Sequence, residues 1–259
     1  MTSATPTVVS DDILGLLGWA IDTYGTELRL ACSLSVEDCL LVHLTAAQAA
    51  LRGVKPTVFV LDTGRLHEET YQTLERLRRR YDLPIHTYAP RSEAVEQLVT
   101  LRGPLSFRES VPARQECCAI RKVEPLSRAL SGASAWVTGL RRAHSAGRST
   151  VAQVEKEEKT GRMKLNPLAL LTDDELWTLV HQHQSIVHPL HQQGFPSIGC
   201  APCTRAISAD EHPRAGRWWW EDPSHSECGL HSPASQRIPI DRVPQLQDAR
   251  QSHSFPQKE

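Results

Sequence analysis

Two hydrophobic periodicities alternate along the first 185 residues and predict alternating helices and strands. Apolar residues recur at helical spacing over 10–25, and this segment ends at Gly25. "ELRLACSLS" and "TVFVLDTG" are short apolar runs typical of strands, and "VEDCLLVHLTAAQAALRG" between them predicts a helix that ends near Gly53. "HEETYQTLERLRRRYDL", "PIHTYAP" and the stretch from Ser92 to about Leu101 continue the series as helix, strand and helix.

The second half continues the pattern less regularly. "CCAIRKVEPLSRALSG" predicts a helix that Pro125 can kink or break, and "AWVTGLRR" predicts a fourth strand that ends in a basic loop. A polar stretch with edge structure follows, and then "MKLNPLALLTDDELWTLVHQHQ" predicts a strand, a turn and a helix capped at Thr172 or Asp173. Strands and helices that alternate at this spacing indicate an α/β fold, with an open, mainly parallel sheet and helices on both faces.

The length of 259 residues and the lack of a clear linker predict a single domain over residues 1–231. We expect an α/β core over about 26–185 and a segment rich in Pro, Gly and His over 186–220. A flexible C-terminal arm is expected over 221–231, followed by a mobile tail over 232–259. The three tryptophans Trp218–Trp220 predict that burial anchors the last ordered segment.

Charge and composition exclude several classes of partner. The formal net charge is −1, with 40% hydrophobic and 23% charged residues, so we expect neither a nucleic acid nor a membrane as a partner. No apolar run reaches the roughly 18 residues of a spanning helix, and the first residues lack a secretory signal pattern. We therefore expect a cytoplasmic protein, in which seven cysteines indicate metal binding or redox catalysis.

The loops that follow the predicted strands carry most of the candidate binding residues. Ligands of open parallel sheets lie beyond the carboxyl ends of the strands. After the first strand, "SLSVED" either forms a capping box from Ser35 to Asp38 or cradles an anion with free backbone N–H groups and the hydroxyls of Ser33 and Ser35. Glu37 is a further candidate of this loop. Asp62 follows the second strand and is either a turn residue or part of the site.

Arginines gather after the fourth strand and again near the tryptophans. A guanidinium fork suits a phosphate or sulfate, whereas a solvated basic loop is the alternative interpretation. The candidate cations are Arg141, Arg142, Arg148, Arg214 and Arg217.

Four cysteines form two pairs, Cys117–Cys118 and the "CAPC" pair Cys200–Cys203. Four buried thiols without a common role, a structural zinc or a [4Fe–4S] cluster are the alternatives. The ligand count and the adjacent pair favour the cluster, because neighbouring side chains on a helix diverge too far for a compact zinc site. Arg121 and Lys122, one turn later, are placed to offset its negative charge. Cys32 and Cys39 receive no role.

The chain resembles the adenylylsulfate/phosphoadenylylsulfate reductase family, and within it the iron–sulfur, thioredoxin-dependent assimilatory adenylylsulfate (APS) reductases. The matching segments run in the family's order from about Ser33 to His231. They are "SLSVED", "LDTGRLHEETY", "ECCAIRKVEPL", "TGLRRAHSAGRS", "NPLALLTDDELW", "GCAPCTR", "PRAGRWWWE" and "ECGLH". Glycine is common near "S-x-S-x-E-D" in this family, so Leu34 is a departure.

The resemblance implies an adenine-nucleotide α-hydrolase-like fold and the reduction of APS to sulfite and AMP in assimilatory sulfate reduction. It identifies Cys228 as the nucleophile that forms an S-sulfocysteine, which thioredoxin or glutaredoxin then reduces. A thiol on a flexible arm could reach both APS and the reductant. The four paired cysteines are implied as cluster ligands, Lys122 as a link between cluster and substrate, and Arg121, Arg141, Arg142, Arg214 and Arg217 as cations that bind the phosphosulfate. His231, which closes the last motif, is implied as a substrate-binding residue, and a homo-oligomer is expected.

Three other functions stay open at this point. The 3′-phosphorylated substrate PAPS could be reduced instead of APS or together with it. A tRNA-thiolating enzyme of the same superfamily is more distant, because its "SGGxDS" loop is absent and the charge is near neutral. A redox or iron sensor on this scaffold is the third alternative, which the intact "ECGLH" disfavours.

Overall fold

The structure is a computed structural model that describes residues 13–144 and 148–222. Its α-helices are α1 (Ile13–Tyr24), α2 (Val36–Arg52), α3 (Glu68–Arg80), α4 (Ser92–Arg102), α5 (Val111–Cys118), α6 (Glu124–Ala129) and α7 (Asp173–Gln182). Its strands are β1 (Leu28–Ala31), β2 (Thr57–Leu61), β3 (Ile85–Tyr88), β4 (Ala135–Val137), β5 (Val154–Lys156) and β6 (Met163–Leu165). No helix within these ranges combines the length and the apolar character needed to cross a bilayer.

The six strands form one sheet in the order β3-β2-β1-β4-β6-β5. All neighbouring pairs are parallel except β5 and β6, which pair antiparallel at the edge. The chain first adds strands on one side of β1 and then crosses to its other side at β4. The carboxyl ends of β1 and β4 therefore flank the point where the strand order reverses, which is the usual ligand position in open α/β sheets.

Helices cover both faces of the sheet, as predicted. Successive residues of a strand point to opposite faces. Accordingly, Val58 and Val60 belong to a core that is shared with α1, α2 and α7, whereas Phe59 and Trp136 pack against α6 on the other face.

Pro125 does not break the predicted helix. A π-helical turn, Ala119–Val123, joins α5 to α6, and Pro125 lies in the first turn of α6. The backbone stays helical through this junction, since Val123 has φ −71° and ψ −43°. The π turn directly before the proline changes the i→i−4 bonding that its ring and missing N–H would otherwise disrupt. The π turn directly follows Cys117 and Cys118, and such turns often occur at functional sites.

The segment after α7 has little regular structure, as expected from its composition. It contains two short 3₁₀ helices, Pro189–Gln193 and Ala201–Cys203. An isolated antiparallel β-bridge pairs Thr204 with Arg217, so the chain reverses direction between them. This fold brings the second cysteine pair and the last tryptophans to the same edge of the sheet.

Candidate functional site

A cavity of ≈ 200 Å³ lies at the carboxyl ends of β1, β2 and β4, where the strand order reverses. Its walls come from the three strand-end loops, the π turn and the segment 196–217. Of the predicted site residues, those lining it are Ser33, Ser35, Glu37, Asp38, Lys122, Arg148, Arg214 and Arg217. The sequence prediction of a site beyond the strand ends is thus matched by a cavity in that position.

One side of the cavity is apolar. Phe59, Leu126 and Trp136 form a buried cluster there, and all three line the cavity. Within the described part of the chain, the indole Nε1 of Trp136 is buried and has no hydrogen-bond partner. An apolar wall with one unused donor suits a flat heteroaromatic ring that offers an acceptor.

The loop after β1 is organised by Asp38 and not by a capping box. Asp38 accepts hydrogen bonds from the backbone N–H of Ser33 (2.6 Å) and from its hydroxyl (2.6 Å). Ser35 is the N-cap residue of α2, but its side chain makes no capping hydrogen bond. The predicted capping box is therefore wrong, because the carboxylate at the third position reaches Ser33 instead. Burial raises the pKa of Asp38 to about 6 even though the bonds from Ser33 lower it.

Two backbone features shape this loop. Leu34 has φ 69°, in the left-handed region that a bulky residue seldom adopts, and its side chain is nonetheless buried. Gly139, in the loop after β4, lies so close that an added Cβ would stand 2.2 Å from Asp38 Oδ1. The loops after β1 and β4 are therefore packed directly against each other, and burial of Leu34 compensates for the absence of a glycine.

Glu37 and Arg141 form the centre of a buried ion-pair network. Arg141 Nη2 lies 3.0 Å from Glu37 Oε1 and 2.6 Å from Asp173 Oδ1, and His144 Nε2 lies 3.1 Å from the same Glu37 oxygen. Burial alone would raise the pKa of Glu37. The hydrogen bond and charge of His144, together with Arg141, instead lower it to about 2. The charge of Arg141 is thus already compensated by two carboxylates.

Three further predicted residues lie outside the cavity lining. Arg142 is exposed, and its Nε donates to the carbonyl of Val151. Asp62 accepts hydrogen bonds from Gly64 N–H and from the Tyr71 hydroxyl. It is therefore a turn residue, which was one of its two predicted roles. Arg121 is buried behind the site, where it donates to the Thr63 carbonyl at 2.7 Å.

Four cations also line the cavity: Lys122, Arg148, Arg214 and Arg217. Arg148 and Arg214 are buried, and Arg217 is half-buried. Arg217 Nη1 donates to Ser197 Oγ (3.3 Å) and to the Ile198 carbonyl (3.2 Å). A cavity lined by both apolar and cationic side chains can hold an aromatic group that carries an anion.

The two predicted cysteine pairs lie near each other, and Cys203 lies near the cavity cations Lys122 and Arg217. Cys117 and Cys118 end α5, and Cys200 and Cys203 flank the 3₁₀ turn. Burial raises the pKa of Cys117, and the nearby Cys200 raises it further. Burial, Cys200 and Cys117 raise the pKa of Cys203 to about 12, against the opposing charges of Lys122 and Arg217. These thiols therefore lie within electrostatic reach of one another.

No group of three or more Cys, His, Asp or Glu side chains in 13–144 and 148–222 is arranged to hold a single metal ion. A cluster separates its ligands more widely than one ion does, so this result bears on zinc more directly than on [4Fe–4S]. The donor set fits a cluster, because two thiol pairs from two segments converge near Lys122, Arg121 and Arg217.

The predicted nucleophile Cys228 and His231 lie outside the described residues. The base of the predicted arm is described, however, and it is held firmly. The buried carboxylate of Glu221 pairs with the buried Arg114 of α5 at 2.6 Å. The predicted tryptophan anchor is confirmed for Trp218, which is 2% exposed, and wrong for Trp219, which is 41% exposed.

Sequence reasoning missed several lining residues. His144 and Gly199 stand within the matched segments "TGLRRAHSAGRS" and "GCAPCTR" but received no role, and Ser197 lies in a loop that no motif marks. The sequence pattern assigned Phe59 and Trp136 only to strands. The alternation within β2 and β4 could have placed Phe59 and Trp136 on the face opposite the larger core. Their meeting at the cavity depends on the strand order.

Comparisons with known proteins identify the family of the chain. The family model described as the phosphoadenosine phosphosulfate reductase domain matches residues 27–206, more than half of the chain. A protein of Allochromatium vinosum named adenosine 5′-phosphosulfate reductase is 47% identical over 205 residues, covering 79% of this chain and 78% of that protein. A protein of the same name from Burkholderia cepacia is 42% identical over 245 residues, covering 92% and 96%.

Solved structures support the fold. A phosphoadenylyl-sulfate reductase from Candida auris, solved as a phosphate complex, has a TM-score of 0.64 at 21% identity and covers 78% of this chain and 93% of that chain. The FMN adenylyltransferase of Candida glabrata has a TM-score of 0.53 at 12% identity, covering 87% and 81%. The fold prediction is therefore confirmed. The extent of the family match and the identity to named relatives show that the chain belongs to the phosphoadenosine phosphosulfate reductase family.

Proposed function

We propose that the protein reduces APS to sulfite and AMP in assimilatory sulfate reduction, with thioredoxin or glutaredoxin as reductant. The observation that carries this proposal is a cavity lined both by an apolar cluster at Phe59 and Trp136 and by four cations. The adenine ring suits the apolar cluster, and the phosphosulfate suits the cations. The relatives named adenosine 5′-phosphosulfate reductase favour the same substrate.

The first chemical step is a displacement at sulfur. The Cys228 thiolate attacks the sulfur of APS, an S–S bond forms, and the bond from sulfur to the phosphate oxygen breaks. AMP leaves with the bonding electron pair, and Cys228 carries an S-sulfo group. Cations such as Arg214 and Arg217 would offset the charge on the leaving phosphate. They would also favour the thiolate form of an approaching thiol.

The second step consumes the reductant. One thiolate of the reduced dithiol attacks Cys228 Sγ, and sulfite leaves with the electrons of the S–S bond. The second thiol of the reductant then resolves the mixed disulfide and returns Cys228 to its thiol form. Two electrons from the dithiol thus account for the reduction of the sulfate group to sulfite.

Cys117, Cys118, Cys200 and Cys203 would hold a [4Fe–4S] cluster. When bound, the cluster would supply a negatively charged group that ties the end of α5 to the 200–203 turn. Thr63 Oγ1 lies 3.2 Å from Cys200 Sγ, and Trp218 N–H donates to the Cys203 carbonyl. These contacts would orient the second cysteine pair around the cluster.

The test is anaerobic purification with iron and sulfide counts, followed by sulfite release from APS and reduced thioredoxin. Cys228→Ser should keep the brown absorbance and release no sulfite, because the nucleophile is lost and the ligands remain. Cys203→Ser should lose the cluster. Sulfite production at the parent rate by Cys228→Ser would overturn the mechanism, and full iron content in Cys203→Ser would overturn the ligand assignment.

A parallel assay decides between APS and PAPS. We expect turnover of APS to exceed turnover of PAPS, and a strong preference for PAPS would contradict the proposed substrate. Retention on tRNA together with ATP-dependent AMP release would support the thiolating alternative.

A further inference from the structure

Trp218 gathers three guanidinium groups around one buried indole. The Cζ atoms of Arg114, Arg217 and Arg214 lie 4.4, 4.7 and 6.0 Å from its ring centroid. Guanidinium groups at these distances are attracted by the negative face of an aromatic ring. Two of these arginines, Arg214 and Arg217, line the cavity, whereas Arg114 pairs with Glu221 behind it.

The backbone holds Trp218 in an unusual conformation. Its φ is 46°, a region that bulky residues seldom occupy because it costs free energy. Its N–H donates to the Cys203 carbonyl at 3.2 Å, and the preceding Arg217 bridges to Thr204. The surrounding segment therefore fixes the indole in a strained position, and the indole in turn packs against the arginines.

On the cavity side of this arrangement, no carboxylate of residues 13–144 and 148–222 pairs with Arg217. Among the described residues, its Nη1 contacts are the Ser197 hydroxyl and the Ile198 carbonyl, and its buried Nε has no partner. Its guanidinium lies over Gly199, where an added Cβ would stand 2.3 Å from Nη2. Held by neutral groups, Arg217 retains its charge for a ligand.

We propose that Trp218 is a positioning residue, which aims Arg214 and Arg217 into the cavity and so sets the affinity for the phosphate group of an adenine nucleotide. The identity of that nucleotide rests on the proposed function. The aromatic ring can hold the guanidinium groups and leave their positive charge in place, whereas a carboxylate would neutralise it. An apolar side chain of similar bulk could fill the space but could not attract the guanidinium groups.

The experiment compares three variants by calorimetric binding of AMP and of adenosine, with adenosine measured by competition where it binds weakly. Trp218→Leu should weaken AMP binding roughly tenfold, because the arginines lose the aromatic face. Trp218→Phe, which keeps an aromatic face, should weaken it by about threefold. Adenosine lacks the phosphate, so its affinity should stay within about twofold in both variants.

Trp219→Leu is the matched control. Trp219 is adjacent in sequence but 41% exposed, and its ring lies near Arg108 rather than near the cavity arginines. It should change the affinity of both ligands by less than about twofold. If Trp218→Leu does not fold, the comparison passes to Trp218→Phe against Trp219→Phe, with melting curves recorded for each.

The proposal is overturned if folded Trp218→Leu binds AMP as the parent does, or if it loses AMP and adenosine equally. The second result would mean a general loosening of the site. These measurements need neither reductant nor turnover. A parent that binds AMP but releases no sulfite from APS would therefore refute the proposed reaction and leave the role of Trp218 standing. A parent that binds neither ligand would refute both.

Discussion

Two groups of arginines border the cavity, and they differ in what neutralises them. After β4, Arg141 is buried and pairs with Glu37 and Asp173. His144 contacts the same oxygen of Glu37, Oε1, as Arg141 does. In the segment 196–217, Arg217 is held by a hydroxyl, a carbonyl and the face of Trp218. Arg141 belongs to an internal ion-pair network, whereas Arg217 presents its positive charge to the cavity.

The difference shows that local arginine density does not identify the ligand-binding cations. "TGLRRAHSAGRS" contains three arginines, yet only Arg148 of them lines the cavity. Arg141 is committed to Glu37, and Arg142 is exposed outside the lining. A buried cation that is already paired stabilises the fold, whereas one that faces only neutral groups can bind an anion.

Glu37→Gln should produce the largest loss of stability in this comparison. It leaves the buried Arg141 guanidinium with the exposed Asp173 as its remaining carboxylate, and a broken buried ion pair typically costs about 3–5 kcal/mol. The measurement is the free energy of unfolding in urea at pH 7. Asp173→Asn is the control, because the side chain of Asp173 is 64% exposed, and it should cost less than about 1 kcal/mol. Equal losses in the two variants would contradict the assignment of the network to Glu37.

The neighbouring carboxylates Asp38 and Glu37 should make the free energy of unfolding depend on pH in opposite directions. Burial raises the pKa of Asp38 to about 6, whereas the unfolded chain releases this proton near pH 4. The folded state therefore binds more protons between these values, and the contribution of Asp38 to stability falls as the pH rises. Glu37 has its pKa lowered to about 2, so its contribution is present above about pH 4.5 and is lost as the pH falls toward 2.

Asp38→Asn removes this titration. Its unfolding free energy minus that of the parent should rise by about 2–3 kcal/mol between pH 4 and pH 7. The difference isolates Asp38, because buried histidines such as His188, whose pKa burial lowers to about 4, titrate alike in both proteins. A difference that does not vary with pH would show that Asp38 is ionised throughout this range.

Arg217→Ala tests the cavity arginine that is held by neutral groups. It should weaken AMP binding about tenfold, since a charged hydrogen bond to the ligand is lost, while leaving most of the stability intact. Arg205→Ala is a control from the same segment, because Arg205 pairs with Glu211 and does not line the cavity. The control should bind AMP within about twofold of the parent. Equal weakening in the two variants would mean that general charge, and not the position of Arg217, drives binding.

The sequence was sufficient to predict the elements that depend on local pattern. The strands β1 to β4, the end of α2 at Gly53 and the cap at Thr172 follow from periodicity, glycine and capping chemistry, and the structure confirms them. The position of the cavity also followed, because it requires only that parallel strands end at one edge of the sheet.

The partners of individual charges could not be predicted in this way. Glu37 and Arg141 are 104 residues apart, and their pairing depends on β4 lying beside β1. The left-handed backbone of Leu34 and Trp218 is likewise imposed by tertiary packing, since both side chains prefer other regions in isolation.

The smallest effect compares two helix caps that look alike in sequence. Thr172 accepts a hydrogen bond from the Glu175 N–H, and Glu175 in turn accepts from Thr172 N–H, whereas the Ser35 side chain makes no capping bond. Thr172→Ala should therefore lower the free energy of unfolding by about 1 kcal/mol, and Ser35→Ala by less than about 0.5 kcal/mol. Urea unfolding of both variants measures this. An equal loss at Ser35 would mean that its hydroxyl caps α2 after all. The hydrogen bonds from Ser33 to Asp38 would then not be the sole support of the loop between β1 and α2.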